Sequence, residues 1–421
     1  MILCSRFVFF GAEFVSDVCM GKRFVAIQIG ARLSYAAPAV LEHAGMLEAF
    51  YTDMCGNVGL GGMIVKLCPK SLSRGAIKNL AGRMLPENLR LSPKTHSLAM
   101  PNFRHLWQQW LSRNDRNPEV GNILGDELGK EAVNRGIGQA THLFTCMGEC
   151  MPLLEYAKQK GLTTFTEIFI VPSVHRICID EIEQFLGLSM DQYREAPLYS
   201  NWLNRVLSLT DWAIAPSENV RQDLAENFNF PVDRCFVVPY AVDDSWFEVE
   251  NRLTKGRILF VGSAELRKGI YYLGLAAEKL ADRGYEFRVA GGVSDDVRQY
   301  ASNQKLNFLG RIPRLEIKQE YAQADLFVLP SLAEGSASVV YEALASGLPV
   351  ITTNSSGSVV RHGIDGFIIP ERDPESIADR IVEIIENRDL RDRMAISAKA
   401  RARDYTWDKY SERLLAAFQS V

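Results

Sequence analysis

Short apolar runs rich in Val, Ile and Phe alternate with longer helical patterns along most of the chain, and no other feature constrains the fold as strongly. Such alternation is typical of parallel sheets that are flanked by helices. The strand patterns of the first half cover residues 24–29, 141–145 and 162–166, and those of the second half cover 257–261, 287–290, 306–309, 326–329 and 349–352. The sequence therefore predicts an α/β chain with two doubly wound sheets.

A chain of 421 residues exceeds the size at which one hydrophobic core usually keeps growing, so two domains are expected. Residues 1–20 are interpreted as an N-terminal extension, because Met20 directly precedes a clean strand pattern and Met1 or Met20 could be the true start. The sequence has no run of about 18 apolar residues, so no membrane-spanning helix is predicted. The predicted domains are a first doubly wound domain at 21–235, a second doubly wound domain at 236–403, and a C-terminal helix at 404–421 that packs back on the first domain.

Charge and cysteine usage narrow the class of protein. The net charge is −4, from 47 basic and 51 acidic residues, so nucleic acid is not an expected partner. The eight cysteines are scattered rather than arranged as a dense disulfide framework. A cytoplasmic protein is expected, with peripheral contact at the inner membrane face as a further expectation.

The first candidate site follows the strand pattern at 257–261. Gly262 could allow close backbone approach, and Arg267 with Lys268 could offset the roughly two negative charges of a diphosphate by fork and point-charge contacts. A solvated surface turn is the alternative interpretation of this segment.

The second candidate site runs from Glu334 to Glu342. A helix beginning near Ser336 would present free amides and the positive end of its dipole to a phosphate, and Glu342 would lie roughly 9 Å further along the axis. Carboxylates accept hydrogen bonds from vicinal hydroxyls, so a carboxylate on each side of a diphosphate suits a ligand with a sugar ring at both ends. The alternatives are a loop charge for Glu334 and a solvent-facing helix residue for Glu342.

These segments resemble retaining glycosyltransferases of the GT-B fold, family 4, also called glycosyl transferases group 1. The resemblance covers most of residues 205–410. The motifs that carry it are Asp211-Trp-Ala-Ile-Ala-Pro-Ser-Glu218, Val238-Pro-Tyr-Ala-Val-Asp243, Arg267-Lys-Gly269, Phe308-Leu-Gly-Arg311, Ala324-Asp-Leu-Phe-Val-Leu-Pro-Ser331, the Glu-x7-Glu pair Glu334 and Glu342, and Gly347-Leu-Pro-Val-Ile351.

The resemblance implies two Rossmann-like domains that face a cleft: an acceptor-side domain at 21–235 and a nucleotide-sugar-binding domain at 236–403. It also implies residue roles. Arg267 and Lys268 would bind the diphosphate and, with Glu334 at the transferred sugar, form the catalytic set. Glu342 would bind the ribose. The implied donor-binding residues are Gly262, Ser263, Arg267, Lys268, Arg311, Ile312, Glu334, Gly335, Ser336, Ala337, Ser338 and Glu342. Many members have Phe-Gly where this chain has Ser336 and Ala337, which leaves the donor sugar open.

The acceptor side carries fewer signals. Gly30 follows the first strand pattern, and Glu167 and His175 lie nearest the place where such enzymes present an acceptor-side His, Asp or Glu. The spacing of His142, Cys146 and Cys150 suggests a metal on a helix face, but residues 141–145 form a strand pattern instead. The chain also has no Asp-x-Asp triplet. No cofactor and no metal are therefore expected.

The predicted function is transfer of a sugar from a nucleotide-diphosphate sugar to an acceptor hydroxyl with retention of configuration, in polysaccharide or glycolipid synthesis. A sugar-nucleotide epimerase and a non-catalytic nucleotide-binding protein are the alternatives. The expected partners are the nucleotide sugar and a glycan or lipid-linked glycan acceptor. Donor base, donor sugar, acceptor, linkage and oligomeric state stay open. Basic residues interleaved with apolar ones could form either a membrane-surface helix or a core helix; the basic ones are Lys66, Lys70, Arg74, Lys78 and Arg83.

Overall fold

The structure is a computed structural model that describes residues 21–68, 76–102, 104, 123–190, 197–314 and 316–421. The predicted extension at 1–20 lies outside these residues. Two basic residues of the predicted membrane-surface segment, Lys70 and Arg74, lie outside them as well. The other three, Lys66, Lys78 and Arg83, are described.

The first sheet has seven strands, in the order β3-β2-β1-β4-β5-β6-β7. Neighbouring strands from β3 to β6 pair in parallel. The strands are β1 Phe24–Gln28, β2 Leu47–Thr52, β3 Thr95–Ser97, β4 His142–Cys146, β5 Thr163–Glu167, β6 Trp212–Ala215 and β7 Cys235–Val237. The sequence patterns identified β1, β4 and β5, which are buried almost throughout.

The second sheet has six strands, in the order β10-β9-β8-β11-β12-β13, and all of its pairings are parallel. The strands are β8 Arg257–Val261, β9 Glu286–Ala290, β10 Leu306–Gly310, β11 Leu326–Leu329, β12 Val350–Thr353 and β13 Gly366–Ile369. In sequence terms this is the 3-2-1-4-5-6 order of a doubly wound nucleotide-binding sheet. The predicted fold class, two doubly wound Rossmann-like domains, is confirmed.

Helices connect most of these strands, as parallel pairing requires. The α-helices in the described residues are Ala36–His43, Gly59–Leu67, Ala76–Ala81, Glu87–Leu91, Ile123–Arg135, Met151–Gln159, Val174–Leu186, Pro197–Ser208, Glu218–Phe228, Ile270–Lys279, Asp295–Gln299, Ile317–Gln323, Ser338–Ala345, Pro374–Glu386, Arg388–Ala402 and Trp407–Gln419.

The chain divides into two compact units that interleave in sequence. The first unit extends to Glu167 and adds Pro197–Ile214 and Ser411–Val421. The second unit consists of Ile168–Ala196 and Ala215–Tyr410. The helix Val174–Leu186 therefore belongs to the second unit, although it precedes the second sheet in sequence. The domain boundaries given above stay predictions.

The end of the chain is anchored in the core of the first unit. Phe418 is fully buried, and its ring lies 4.8 Å from that of Phe24 and 5.1 Å from that of Phe165. The ammonium group of Lys22 donates to the carbonyls of Phe418 and Gln419 at 2.9 and 3.0 Å. The last residues thus cover strands β1 and β5 of the same unit.

A matched pair of glycines tests how closely the loops of the second sheet approach each other. Gly269 and Gly284 have nearly the same left-handed φ, +72° and +68°. A Cβ on Gly269 would lie 2.0 Å from the carbonyl oxygen of Pro330, whereas one on Gly284 would meet nothing within 4 Å. Gly284→Ala should cost about 1–2 kcal/mol of unfolding free energy from backbone strain alone.

Gly269→Ala adds a steric clash to the same strain, so its cost should be larger by about 1–3 kcal/mol. Urea denaturation of both variants measures the difference. Equal destabilisation would show that the Gly269 loop and the Pro330 loop do not pack as described.

Candidate active site

The candidate donor site lies where the strand order of the second sheet reverses, between β8 and β11. Ligands of open α/β sheets bind outside the carboxyl ends of the strands at such a switch point. The loop after β8 carries Arg267 and Lys268, and the loop after β11 carries Glu334. The fold thus brings together residues that are 66 positions apart in sequence.

The loop after β8 is built to hold its cations close to the sheet. Residues Leu266–Lys268 form one short 3-10 turn, which Gly269 ends in the left-handed conformation. The carbon stem of Lys268 lies over Gly262, where a Cβ would be 3.2 Å from Cδ of Lys268. The guanidinium of Arg267 donates to the carbonyl of Ala333 at 2.8 Å, so one cation is fastened to the opposite loop.

Glu334 is shared by both cations. Its Oε2 lies 2.8 Å from Nη1 of Arg267, and its Oε1 accepts a hydrogen bond from the ammonium group of Lys268. The three side chains are only 19%, 14% and 12% exposed for Arg267, Lys268 and Glu334, so water screens them weakly. One carboxylate between two cations leaves these three side chains with a net positive charge. Glu265, which is exposed, makes a weaker contact with Arg267 at 3.6 Å.

The backbone fixes the place of Glu334. Its amide donates to the carbonyl of Ser355 at 2.8 Å. The amide of Ser355 in turn donates to Glu371 Oε1 at 3.3 Å. The loop after β12 therefore fixes the backbone position of Glu334 through this hydrogen bond.

Gly335 sits at a close backbone crossing. A Cβ at this position would lie 1.9 Å from the carbonyl oxygen of Phe169, and the hydroxyl of Ser217 donates to the Gly335 carbonyl at 2.6 Å. Only glycine fits here because any side chain would displace the Phe169 backbone.

The helix after this loop begins two residues later than the sequence suggested. It runs from Ser338 to Ala345 instead of beginning near Ser336, because Ala337 keeps extended backbone angles. Ser336 and Ala337 are buried, and the Ser336 hydroxyl bonds Tyr341 at 2.7 Å and the carbonyl of Gly357 at 2.9 Å. Ser336 therefore braces the loop, while Ser338 is exposed at the helix start.

Three further predicted donor-binding residues lie on neighbouring loops of the same sheet edge. Ser263 is half-buried after β8, and Arg311 and Ile312 follow β10. The exposed Arg311 lies over Gly292, where a Cβ would be 3.3 Å from its Nε. This arrangement places a cation against the backbone of the loop after β9.

Glu342 occupies a different environment from Glu334. It accepts a hydrogen bond from the hydroxyl of Tyr321 at 3.2 Å, and Tyr321 is itself buried against Trp246. Burial raises the pKa of Glu342 to about 7, although Arg314 and Tyr321 act in the opposite direction. The carboxyl group is therefore close to half-protonated at neutral pH.

The predicted acceptor-side residues are divided between the two units, with Gly30 and Glu167 in the first and His175 in the second. Gly30 has φ +67°, and its amide donates to Asp53 Oδ1 at 2.9 Å in the first unit. Glu167 ends β5, is buried, and accepts a 3.6 Å contact from the Cys146 thiol. His175 is exposed on the helix Val174–Leu186 of the second unit.

The sequence reasoning missed Glu149, which lies just beyond β4 at the switch point of the first sheet. Its carboxylate accepts the Ile29 amide at 2.9 Å and lies 3.7 Å from Arg32. Burial raises the pKa of Glu149 to about 7. The available signal was its place directly after a predicted buried strand, which is where parallel sheets collect functional side chains.

The described residues contain no cluster of three or more His, Cys, Asp or Glu side chains that could hold a metal ion. No helix within the same ranges has the length and apolar character needed to cross a membrane.

Residues 242–401, which include the whole candidate donor site, match the family model described as Glycosyl transferases group 1. This part of the chain is thus similar to glycosyl transferases group 1.

An uncharacterized glycosyltransferase of Methanocaldococcus jannaschii is 28% identical over 231 residues, which are 49% of this chain and 59% of that relative. Two further curated relatives are covered over 44% and 54% of their lengths. The chain thus spans about half of the length of these relatives.

Two solved structures resemble this chain over almost its full length. Sucrose-phosphate synthase of Thermosynechococcus elongatus has a TM-score of 0.61 at 15% identity, with 95% of this chain and 98% of that chain covered. Anabaena HepE in complex with UDP-glucose has a TM-score of 0.59 at 12% identity, with 95% and 100% covered. The likeness establishes the two parallel-sheet, Rossmann-like domains of the GT-B fold.

The raised pKa of Glu342 predicts a pH-dependent loss of stability. A carboxyl group whose pKa rises from 4.5 to about 7 on folding imposes no penalty below pH 4.5 and its full penalty above about pH 7. Glu342→Gln cannot ionise, so its unfolding free energy relative to wild type should rise across this window. The gain should reach about 1–3 kcal/mol at pH 8.

Urea denaturation at pH 4.5, 6 and 8 measures this difference. Glu278→Gln, at an exposed glutamate on the helix Ile270–Lys279, is the control and should show no comparable trend. A Glu342→Gln effect that is the same at all three pH values would contradict the prediction.

Proposed function

We propose that this chain transfers a glycosyl unit from a nucleoside-diphosphate sugar to an acceptor hydroxyl, with retention of anomeric configuration, in polysaccharide or glycolipid synthesis. The observation that carries the proposal is the contact of Glu334 with Arg267 and Lys268 at the switch point of the second sheet. The match of residues 242–401 to glycosyl transferases group 1 supports it. So does the likeness to Anabaena HepE, which was solved with UDP-glucose.

The charge of the site suits a diphosphate. Arg267 and Lys268 together exceed the single negative charge of Glu334, and all three are largely shielded from water. A bound diphosphate with roughly two negative charges would share the cations with Glu334 and reverse the sign of the local charge balance. As the bond to the sugar breaks, these cations stabilise the charge that develops on the leaving nucleotide.

The two carboxylates take the two ends of the donor. Glu334 accepts hydrogen bonds from hydroxyls of the transferred sugar, and Glu342 accepts them from the ribose. Retention follows if the acceptor hydroxyl approaches on the face from which the diphosphate leaves. The proposal includes catalysis without a metal ion, because Arg267 and Lys268 supply the positive charge.

A donor screen tests the proposal. UDP-, GDP- and ADP-sugars are incubated with wild type and a mixture of glycan and lipid-linked acceptors, with and without EDTA, and released nucleotide and glycosylated product are measured. Wild type should turn over one donor class equally well in both conditions. Glu334→Gln should lower kcat by about 10² or more, because it removes a charged contact made to the reacting sugar.

Glu265→Gln is the matched control, since Glu265 also faces Arg267 but is exposed, and its activity should stay within about threefold of wild type. An altered donor sugar formed without acceptor would identify an epimerase instead. Nucleotide binding without any turnover would identify a non-catalytic protein. Activity that EDTA abolishes and Mg²⁺ or Mn²⁺ restores would refute metal independence.

A membrane-proximal acceptor is the second part of the proposal. The helix Gly59–Leu67 exposes three apolar side chains, with Leu60, Met63 and Leu67 at 45%, 58% and 78% exposure. Lys66 is exposed beside them. Apolar groups with adjacent cations suit the interface of an anionic membrane, where a lipid-linked acceptor would be presented.

Vesicle co-sedimentation tests this surface. Wild type should bind vesicles with anionic lipid more strongly than neutral vesicles. The double variant Met63→Ser with Leu67→Ser should weaken binding at least about threefold, since it removes two apolar side chains that would enter the membrane interface. Ile396→Ser is the control, because Ile396 is 74% exposed in the second unit. Equal binding by all variants would remove the membrane surface from the proposal.

A further inference from the structure

The buried carboxylate of Glu181 lies on a helix next to the turn Leu266–Lys268, which carries the two cations of the candidate donor site and is called the cation turn below. Glu181 belongs to the helix Val174–Leu186, which packs against the turn Leu266–Lys268. The Glu181 side chain is almost completely buried. The proposed donor contacts do not use it, so its burial needs a different explanation.

Two groups neutralise and orient Glu181. Arg372 donates from Nε to Oε1 at 2.6 Å, and the hydroxyl of Tyr272 donates to Oε2 at 2.9 Å. Tyr272 lies on the helix that begins directly after Gly269, and Arg372 lies in the turn after β13. The carboxylate therefore ties the Val174–Leu186 helix to two segments of the second unit.

The Arg372 turn leads on to Glu334. Arg372 has φ +60°, a left-handed conformation that a residue with a Cβ rarely adopts. Its neighbour Glu371 accepts the amide of Ser355, and the carbonyl of Ser355 accepts the amide of Glu334. A short series of contacts thus runs from the buried Glu181 to the residue that faces both cations.

The same helix also packs on the helix that follows the turn Leu266–Lys268. Phe185 packs on the rings of Tyr271 and Tyr272 at 4.7 and 5.1 Å, one turn away from Glu181. The Val174–Leu186 helix therefore contacts both the turn that carries the two cations and the helix after it. Strained residues persist where the surrounding structure over-determines them, and such places cluster at functional sites.

We propose that the Glu181–Arg372 ion pair is a positioning device for the donor site, which holds Glu334 and the Arg267–Lys268 turn in register and thereby sets the affinity for the nucleoside diphosphate of the donor. The inference rests on the proposed glycosyl transfer. Glu181 and Arg372 are positioning residues, because they act through Ser355 and the cation turn.

Arg372→Gly tests the device. Glycine adopts a left-handed φ without strain, so this variant loses the guanidinium but keeps the backbone conformation that the turn requires. Dissociation constants for UDP, GDP and ADP are measured by calorimetry, and KM and kcat are measured with the sugar donor used in the screen above. We expect the dissociation constant of the bound nucleotide and the donor KM to rise at least about tenfold, with the acceptor KM unchanged.

Arg388→Ala is the matched control. Arg388 forms a bidentate pair with the buried Asp325 at 2.7 and 2.8 Å, at the amino end of β11 and so at the opposite edge of the same sheet. The Arg388→Ala variant should have a lower melting temperature and an unchanged donor KM. Tyr272→Phe, which removes only one hydroxyl from Glu181, is the milder second variant and should raise the donor KM by about threefold.

The outcomes separate the two proposals. If wild type transfers sugar and both Arg372→Gly and Tyr272→Phe keep the wild-type donor KM and nucleotide affinity, the positioning role is overturned and the proposed function stands. If wild type turns over no donor in the screen, the proposed function fails, and a nucleotide dissociation constant of Arg372→Gly that matches wild type then overturns the positioning role as well. A donor-specific rise in KM in both variants, absent from Arg388→Ala, supports the device.

Discussion

The ion pairs of Glu334 with Arg267 and Lys268 are the interaction on which the rest of the second unit depends. Three largely buried charged side chains are stable only when their geometry satisfies all of them, because each would otherwise lose its hydration without compensation. The carbonyl of Ala333, the amide of Glu334 and the left-handed Gly269 all serve that geometry. The second sheet supplies the frame, since its strand order brings the two loops side by side.

Close backbone packing is the second constraint. Gly262 and Gly291 approach so closely that a Cβ on Gly291 would lie 1.8 Å from the Gly262 carbonyl oxygen, and a Cβ on Gly357 would lie 2.1 Å from that of Gly335. These contacts lock the loops at one edge of the sheet together. A ligand there meets backbone amides and charged groups on a rigid support, which favours preorganised electrostatic stabilisation over induced rearrangement.

Much of this arrangement was accessible from the sequence. The strands at 257–261 and 326–329 were predicted with their observed bounds, because each contains four consecutive apolar residues with a buried centre. Strands β2, β3, β6, β7 and β13 were not predicted. β3 and β7 have three residues each and β6 and β13 have four, so their patterns are short, whereas β2 was missed although it has six residues. The helix start moved from Ser336 to Ser338 because the buried hydroxyl of Ser336 bonds Tyr341 and Gly357, a contact no local pattern reveals.

The sequence by itself determined the class of the fold and the residue types of the donor site, because strand periodicity, glycine positions and paired charges are local properties. Only the tertiary structure decided which charges meet. Glu334 contacts Lys268 across 66 positions of sequence, and Glu181 contacts Arg372 across 191. It also decided that Glu342 and Glu149 are buried enough to hold raised pKa values near 7. Desolvation depends on every neighbouring element at once, and no segment of sequence specifies that alone.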